Sequence, residues 1–401
     1  MNNSGVKIEA HLIQNFAPSN LNRDDTGQPK SATFGGFRRA RVSSQCSKRS
    51  TRREGPMGKL LEQCGAFRTR QLIVEIAKGI DKKDKPDDTT IKVVTSVFEA
   101  GGLEKNNEAS KNTTKILVFL DKEALPQLID VFRENWADLT KENKQKQEDA
   151  RNRVGKILFE AVKAPDIALF GRMLELKDST PFGKYNMRVD AACQVAHPIS
   201  THKVDMEMDF YTAVDDLNPE EETGAGMMGV VGFNSACYYR YALVDRDQLA
   251  RNLARKTERK NGHWVQDLTQ EDYTEADKVI KAFLEALVYA IPTGKQNSFA
   301  AQNLPSFGLF VRRQGGVPIS LANAFAKPVR PQKDDDDLVG LSVAALTKHW
   351  DDLKAVYGEQ GVKSAACFHL QQEGRLNGLK DADKKNVEKA IEAVLEVGGQ
   401  P

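Results

Sequence analysis

Between Ser31 and Arg53 the chain carries seven cationic side chains, Arg38, Arg39, Arg41, Lys48, Arg49, Arg52 and Arg53, and no acidic one. A fold cannot bury that much unpaired charge, since each ion taken out of water without a partner costs on the order of several kcal/mol. The segment therefore belongs on a surface. Ser43 or Ser44 supplies an N-cap oxygen for a helix running from Gln45 to Arg53. On that helix Lys48/Arg52 and Arg49/Arg53 are four apart, and such like-charge neighbours destabilise an isolated helix by about 0.2–0.5 kcal/mol per pair. A polyanion laid across the helix converts the repulsion into charge-assisted contacts. Without one, the same residues read as a solvated face. Gly35 and Gly36 allow the backbone to approach a phosphate closely, and Ser43, Ser44 and Gln45 bring polar side chains and free N–H groups to the helix start.

The charge is local. The whole chain holds 58 Lys+Arg against 56 Asp+Glu, but its first 80 residues hold 14 against 6, so one end is an electropositive module. At about 100–200 residues per domain, 401 residues allow two or three domains, with core enough to fold without disulfides or metal. The longest compact apolar run, Ile116 to Leu120, falls far short of the roughly 20 residues that span a bilayer. The first residues lack a signal-peptide core. Five widely spaced cysteines without a C-x-x-C fit a reducing compartment. These features predict a soluble, cytoplasmic protein with no membrane partner.

Along the chain, Val6, Ile8, Ala10 and Leu12 alternate with Lys7, Glu9 and His11, the pattern of a half-buried strand. A polar loop from Pro18 to Gly36 precedes the basic segment, and from Leu60 to Arg153 the periodicity is mostly helical. Val204, Met206, Met208 and Phe210 alternate with Asp205, Glu207 and Asp209, and Phe233 to Val244 reads as an aromatic-rich strand. Glu275 to Ala290 is predicted as a helix, and Pro328 to Asp337 as an acidic linker before a helical tail. The order of elements implies an α+β fold rather than regular βαβ alternation.

Several chemistry-bearing patterns have blander readings. Gly224 to Gly229 satisfies G-x-G-x-x-G, but the dinucleotide fingerprint needs a hydrophobic strand before it and a helix after it, and neither pattern is present, so a hairpin tip is the better reading. His197 and His202 are five apart with no cysteine nearby, which does not suit zinc. Asp205, Glu207 and Asp209 share a strand face that could suggest a metal cluster but reads better as solvated or subunit-contacting. Asp24 and Asp25 could serve a metal-assisted ribonuclease or structure the turn from Asn22 to Gly27. Lys141, Lys144, Lys146, Arg151 and Arg153 form a basic tract that either meets DNA or is a solvated helix.

Six blocks in order carry a resemblance. Asn22-Arg23-Asp24-Asp25 with Phe34 to Gln45 and Lys48-Arg49 resemble the N-terminal signature of the CasC family, the backbone subunit of the type I-E CRISPR surveillance complex Cascade. Asp166 to Met173 is similar to the family's D-I-A-L-x-G-R-M stretch, and Thr201 to Asp205 with Thr212 to Leu217 to its T-H-x-V-D and T-A-V-D-D-L. Tyr239 to Ala242, Gly294-Lys295-Gln296 with Ala300-Ala301, and Leu321 to Phe325 come next. The match fades beyond about residue 330.

The resemblance implies a palm of RNA-recognition-motif-like, ferredoxin-like fold, a helical fingers insertion and a β-hairpin thumb. It divides the chain into palm at 1–59, fingers at 60–190, palm at 191–203, thumb at 204–234, palm at 235–330, and an acidic linker with helical tail at 331–401. It implies a non-catalytic scaffold without cofactor or metal, polymerising head to tail on CRISPR RNA and kinking it at regular intervals. The guide is then presented to target DNA beside other Cascade subunits. By motif, Arg23, Arg38, Arg39, Arg41, Ser43, Ser44, Gln45, Lys48, Arg49 and Arg52 hold the RNA backbone. Met173, Tyr211, Thr212 and Met228 wedge at the kink, where an unstacked base exposes a π-face. Lys295 and Gln296 complete the set.

Overall fold

The computed structural model describes residues 5–108, 112–141, 144–177, 179–213, 227–261, 263–334, 336–371 and 375–395. The elements run β1 (Val6–Ser19), β2 (Ser31–Phe34), β3 (Phe37–Ala40), α1 (Ser44–Arg53), α2 (Gly55–Cys64), β4 (Ala66–Thr69), α3 (Leu72–Asp81) and α4 (Asp88–Gly101). Next come β5 (Val118–Asp121), α5 (Ala124–Glu134), α6 (Trp136–Thr140), α7 (Lys144–Glu160), α8 (Pro165–Phe170), β6 (Cys193–Val195), β7 (Ile199–Ser200) and β8 (Glu207–Ala213). The remainder is β9 (Met227–Asp245), α9 (Arg246–Ala254), β10 (Arg259–Lys260), β11 (His263–Trp264), α10 (Gln270–Tyr289), α11 (Gln296–Phe299), β12 (Phe307–Gln314), α12 (Leu338–Tyr357), β13 (Val362–His369) and α13 (Val387–Leu395). The chain forms two compact units, one of residues 1–58, 194–245 and 280–401, the other of 59–193 and 246–279. The segment 246–279, expected in the palm, thus groups with the helical insertion.

The first unit is built on a sheet of order β13-β12-β1-β9-β6, with β7 and β8 also paired to β9. β1 lies antiparallel between β9 and β12, with His11 opposite Tyr241 on one side and Leu309 on the other. The apolar alternation of β1 is real, but the strand is buried on both faces rather than half exposed. Ile8, Ala10 and Leu12 fill one face; Glu9 and His11 are fully buried on the other. There Glu9 accepts from Arg313 Nε at 2.7 Å, from the Ile319 N–H at 2.6 Å and from the Tyr241 hydroxyl at 3.2 Å. Burial pushes the Glu9 carboxyl up, against the opposing pull of Arg313. Polar residues in a strand therefore do not mark a wet face when a complementary cation arrives from a distant strand.

The C-terminal region is more than a helical tail. Asp337, ending the acidic tract, caps α12 by accepting from the Gly340 N–H. β13 then joins the sheet antiparallel to β12, from Phe307 opposite His369 to Arg313 opposite Val362. Val343, Leu346 and Trp350 of α12 share a core with Ile13, Tyr239, Phe307 and Cys367.

The second unit packs α3, α4, α5 and α7 around Leu72, Ile76, Val94, Phe98, Leu128, Phe132 and Leu158, at the helical spacing that puts such residues on one stripe. β4 and β5 pair antiparallel, and Arg246 of α9 forms a two-bonded ion pair with Asp277 of α10, both contacts at 2.6 Å. No helix among the described residues is long and apolar enough to cross a membrane.

Candidate nucleic-acid interface

The start of the basic segment is anchored to its unit by hydrogen bonds. The Ser43 N–H donates to Asn22 Oδ1 at 2.8 Å, and the Ser43 hydroxyl accepts from the Cys46 N–H at 3.2 Å, capping α1 as expected. Ser47 and Thr51 form the buried stripe of α1, with the Thr51 hydroxyl donating to the Ser47 carbonyl at 3.0 Å. With that stripe inward, Gln45, Arg49 and Arg53 are exposed, and Ser43, Ser44, Lys48 and Arg52 are half-buried. Arg23 and Arg38 are exposed. Among the described residues no ion pair is formed by Arg23, Arg38, Arg41, Arg49 or Arg53.

Arg39 departs from expectation. Its side chain is fully buried, donating from Nη1 to the Ser200 carbonyl at 3.0 Å and from Nη2 to the Phe325 carbonyl at 2.6 Å and the Ala326 carbonyl at 3.3 Å. Nε reaches the Phe34 carbonyl at 3.4 Å. Successive residues of a strand point to opposite faces, so Arg38 goes out and Arg39 goes in. Arg39 cannot meet RNA and is a structural clamp. Arg41 is half-buried, with Nη1 against His197 Nδ1 at 2.8 Å. Burial first, then Arg41 and Lys30, lower the affinity of His197 for a proton. Sequence reading missed this partner, because nothing local links positions 156 apart.

The two glycines also divide. A Cβ on Gly35 would lie 1.9 Å from the Ala326 carbonyl oxygen, whereas one on Gly36 would meet nothing within 4 Å. Gly35 serves internal packing, and Gly36 alone leaves open backbone of the kind a phosphate can approach.

On the hairpin, Thr212 pairs with Met228 and Tyr211 with Gly229. Directly opposed residues share a face and sequential ones do not. Thr212, Met228, Phe210 and Val230 therefore lie on one face, with Phe210 63% and Met228 66% exposed, while Tyr211 lies on the other. The Tyr211 ring crosses Gly229 closely, since a Cβ there would be 2.5 Å from the Tyr211 hydroxyl. Residues 214–226, which hold the first half of the glycine motif, lie outside the described residues. The motif leads into strand β9 and not into a helix, which removes the dinucleotide reading.

In the second unit, Met173 is 84% exposed, against the ordinary placement of methionine in a core. In the first, Lys295 has φ +50° at the start of α11, and Gln296 uses its amide inside its own loop, donating to the carbonyls of Pro292 at 3.1 Å and Ala301 at 3.3 Å. Gln296 is a loop clasp rather than a free donor.

The remaining patterns resolve structurally. Asp24 Oδ1 accepts from the Thr26 N–H at 2.9 Å, the Thr26 hydroxyl at 2.7 Å and the Gln28 N–H at 3.0 Å. These bonds, Thr26 foremost, hold its carboxyl below the usual carboxylate range and favour the turn over metal ligation. His202 faces the Lys203 carbonyl and the Cys237 N–H. Among the described residues no group of three His, Cys, Asp or Glu could hold a metal ion. In the basic tract Arg153 pairs with Glu134 at 2.7 Å, and the side chains of Lys144 and Lys146 lie outside the described residues.

An antiparallel sheet bearing an outward cationic helix, with an apolar hairpin running on from strand β9, defines an α+β chain with a built cationic strip. The chain belongs to the CT1975-like protein family, whose model matches residues 8–396. A chain of a solved "CRISPR RNA-guided surveillance complex, pre-nicking" is similar at 28% identity and TM-score 0.80, over 97% of this chain and 99% of that one. A second, from a "CRISPR RNA-guided surveillance complex", shares the fold at 22% identity and TM-score 0.57, over 97% and 98%. The resemblance to CasC-type backbone subunits fits the family match and the first of these structures. No curated protein matches the chain.

Proposed function

We propose that this chain is a non-catalytic backbone subunit of a type I-E CRISPR RNA-guided complex. Copies line up head to tail on one guide RNA, distort it at regular intervals and present it to target DNA beside other Cascade subunits. The observation that carries this reading is an outward cationic strip on a chain that matches a surveillance-complex chain almost end to end. Strand order supports the palm: α1 follows β1, α10 lies between β9 and β12, and the order β12-β1-β9-β6 is that of a split βαβ ferredoxin-like sheet with β13 added at one edge.

In this reading Arg23, Arg38, Arg41, Ser43, Ser44, Gln45, Lys48, Arg49 and Arg52 hold the ribose-phosphate backbone, with Lys295 as a further cation. Specificity then resides in the guide, the protein reading backbone and shape. Met173 covers an unstacked base, and the hairpin offers a wedge with two different sides, Thr212 and Met228 on one and Tyr211 on the other.

Purified protein is expected to carry a discrete short RNA. The double variant Arg38→Ala/Arg49→Ala is expected to bind RNA more weakly regardless of sequence, its salt slope shallower by about 0.7 for each phosphate it no longer neutralises. Unchanged affinity and slope would sink the assignment.

A further inference from the structure

Met173 stands on an unusual footing. Helix α8 ends at Gly171, whose φ of +77° and ψ of 168° belong to a region essentially reserved for glycine. A Cβ there would lie 2.7 Å from the Val189 carbonyl oxygen. Arg172 then makes a reciprocal backbone pair with Val189, at 3.0 and 2.9 Å. Its side chain turns into the second unit and is 3% exposed. Nε donates to the Met187 carbonyl at 2.9 Å, and Nη1 to the carbonyls of Leu158 at 2.9 Å, Ala161 at 3.4 Å and Phe119 at 3.4 Å.

No carboxylate hydrogen-bonds this guanidinium among the described residues. Its partners are the carbonyls at the end of α7, which carry the negative end of that helix, together with those of β5 and the 187–189 segment. Burial lowers the Arg172 pKa to about 9, so the cation is held at a cost that only a full set of acceptors offsets. A planar fork with five N–H donors spans four carbonyls on three segments, whereas a compact ammonium with three donors cannot reach them all. Because Arg172 lies in an extended bridge, its inward side chain obliges Met173 to face outward.

We infer that Arg172 is the positioning residue for Met173, a buried guanidinium clamp that fixes a solvent-facing thioether at a set place and direction to cover an unstacked base of bound RNA. The inference rests on the proposed RNA-wedging function and deepens it. An apolar group meant to hold a base out of its stack must not yield when the base presses on it. A methionine on a free loop would swing aside, since its side chain has three rotatable bonds. Fixing the backbone just before Met173 removes the loop's share of that freedom, Gly171 through its close packing at the helix end and Arg172 through its hold on the core.

The test uses the full chain assembled at saturation on a synthetic single-stranded RNA, with chemical probing of each nucleotide. Wild-type protein is expected to give a periodic pattern of reactive nucleotides. Met173→Ala is expected to lower the contrast of that pattern at least about threefold, Arg172→Lys to do the same, and the double variant to add nothing further, as for residues acting through one contact. Should Arg172→Lys fail to fold, Gly171→Ala displaces the same segment one residue earlier, at the helix end, and is expected to give the same loss. A pattern altered by Met173→Ala but unchanged in a folded Arg172→Lys or Gly171→Ala protein, with only the melting temperature lowered, overturns the inference and leaves the wedge reading standing. A pattern unchanged by Met173→Ala overturns both.

Discussion

Two buried arginines, one in each unit, solve the same problem and leave opposite things outside. Arg39 and Arg172 are both satisfied by backbone carbonyls, from three separate stretches of chain in each case. Each sits beside an exposed neighbour in an extended segment. Next to Arg39 the outward residue is a cation, Arg38; next to Arg172 it is an apolar thioether, Met173. The inner residue sets direction and the outer one sets chemistry. An arginine in a basic run is thus no more a ligand contact by default than one in an apolar run is a core fault.

That comparison can be broken most directly at positions 38 and 39. Arg39→Met is expected to lose about 3 kcal/mol or more in urea unfolding, because several buried carbonyls lose their donor. Arg38→Ala should stay within about 0.5 kcal/mol. Similar losses at both sites would mean that Arg39 is not the clamp. The paired glycines come next. Gly35→Ala faces both a positive φ of +59° and a carbonyl at 1.9 Å, and should cost about 2–4 kcal/mol. Gly36→Ala, with open space around it, should cost only the backbone strain of about 1–2 kcal/mol.

A third test asks whether the inner face of β1 behaves as dry interior. Burial, reinforced by Arg313, pushes the His11 imidazole down to about 3. Its Nδ1 lies 2.9 Å from the Tyr239 hydroxyl, and Nε2 is buried without a partner among the described residues. The unfolded chain protonates this ring near pH 6.5 and the folded chain does not. The contribution is whole above that pH and is lost as the pH falls toward 3, by about 1.4 kcal/mol per unit. His11→Gln should flatten the acid limb of a melting-temperature profile; an unaltered limb would place the titration elsewhere. The smallest effect is expected at His197, whose proton affinity is lowered by burial and then by Arg41. Arg41→Ala should shift its NMR titration upward while leaving stability almost unchanged.

Much of this was legible in the chain itself. The alternation of Val6 to Leu12 located β1, and the Ser43-Ser44 pair located the start of α1, because both signals are local. What the sequence hid was long-range. Glu9 and His11 read as wet until Arg313 and Tyr239, more than 200 positions away, covered them. The parity of Arg38 and Arg39 depended on which face of β3 met residues 200 and 325. The split of Tyr211 from Thr212 and Met228 comes from strand geometry alone, yet needed the register opposite Gly229 to be seen. β13 carried too weak an alternation to distinguish from the helix before it.

The first strand made is the one that ends in the middle of the sheet. β1 pairs with residues 234–245 and 307–314, so neither neighbour exists when it leaves the ribosome. At about 5–20 residues per second, synthesis of the intervening chain takes on the order of 15–60 s. For most of that interval, until residues 234–245 have been made, a strand with one apolar face of Ile8, Ala10 and Leu12 has no native partner to shelter it. The polar pair that later completes the interior also keeps the nascent segment from being greasy on both sides, which gives those two residues a use during birth as well as after it.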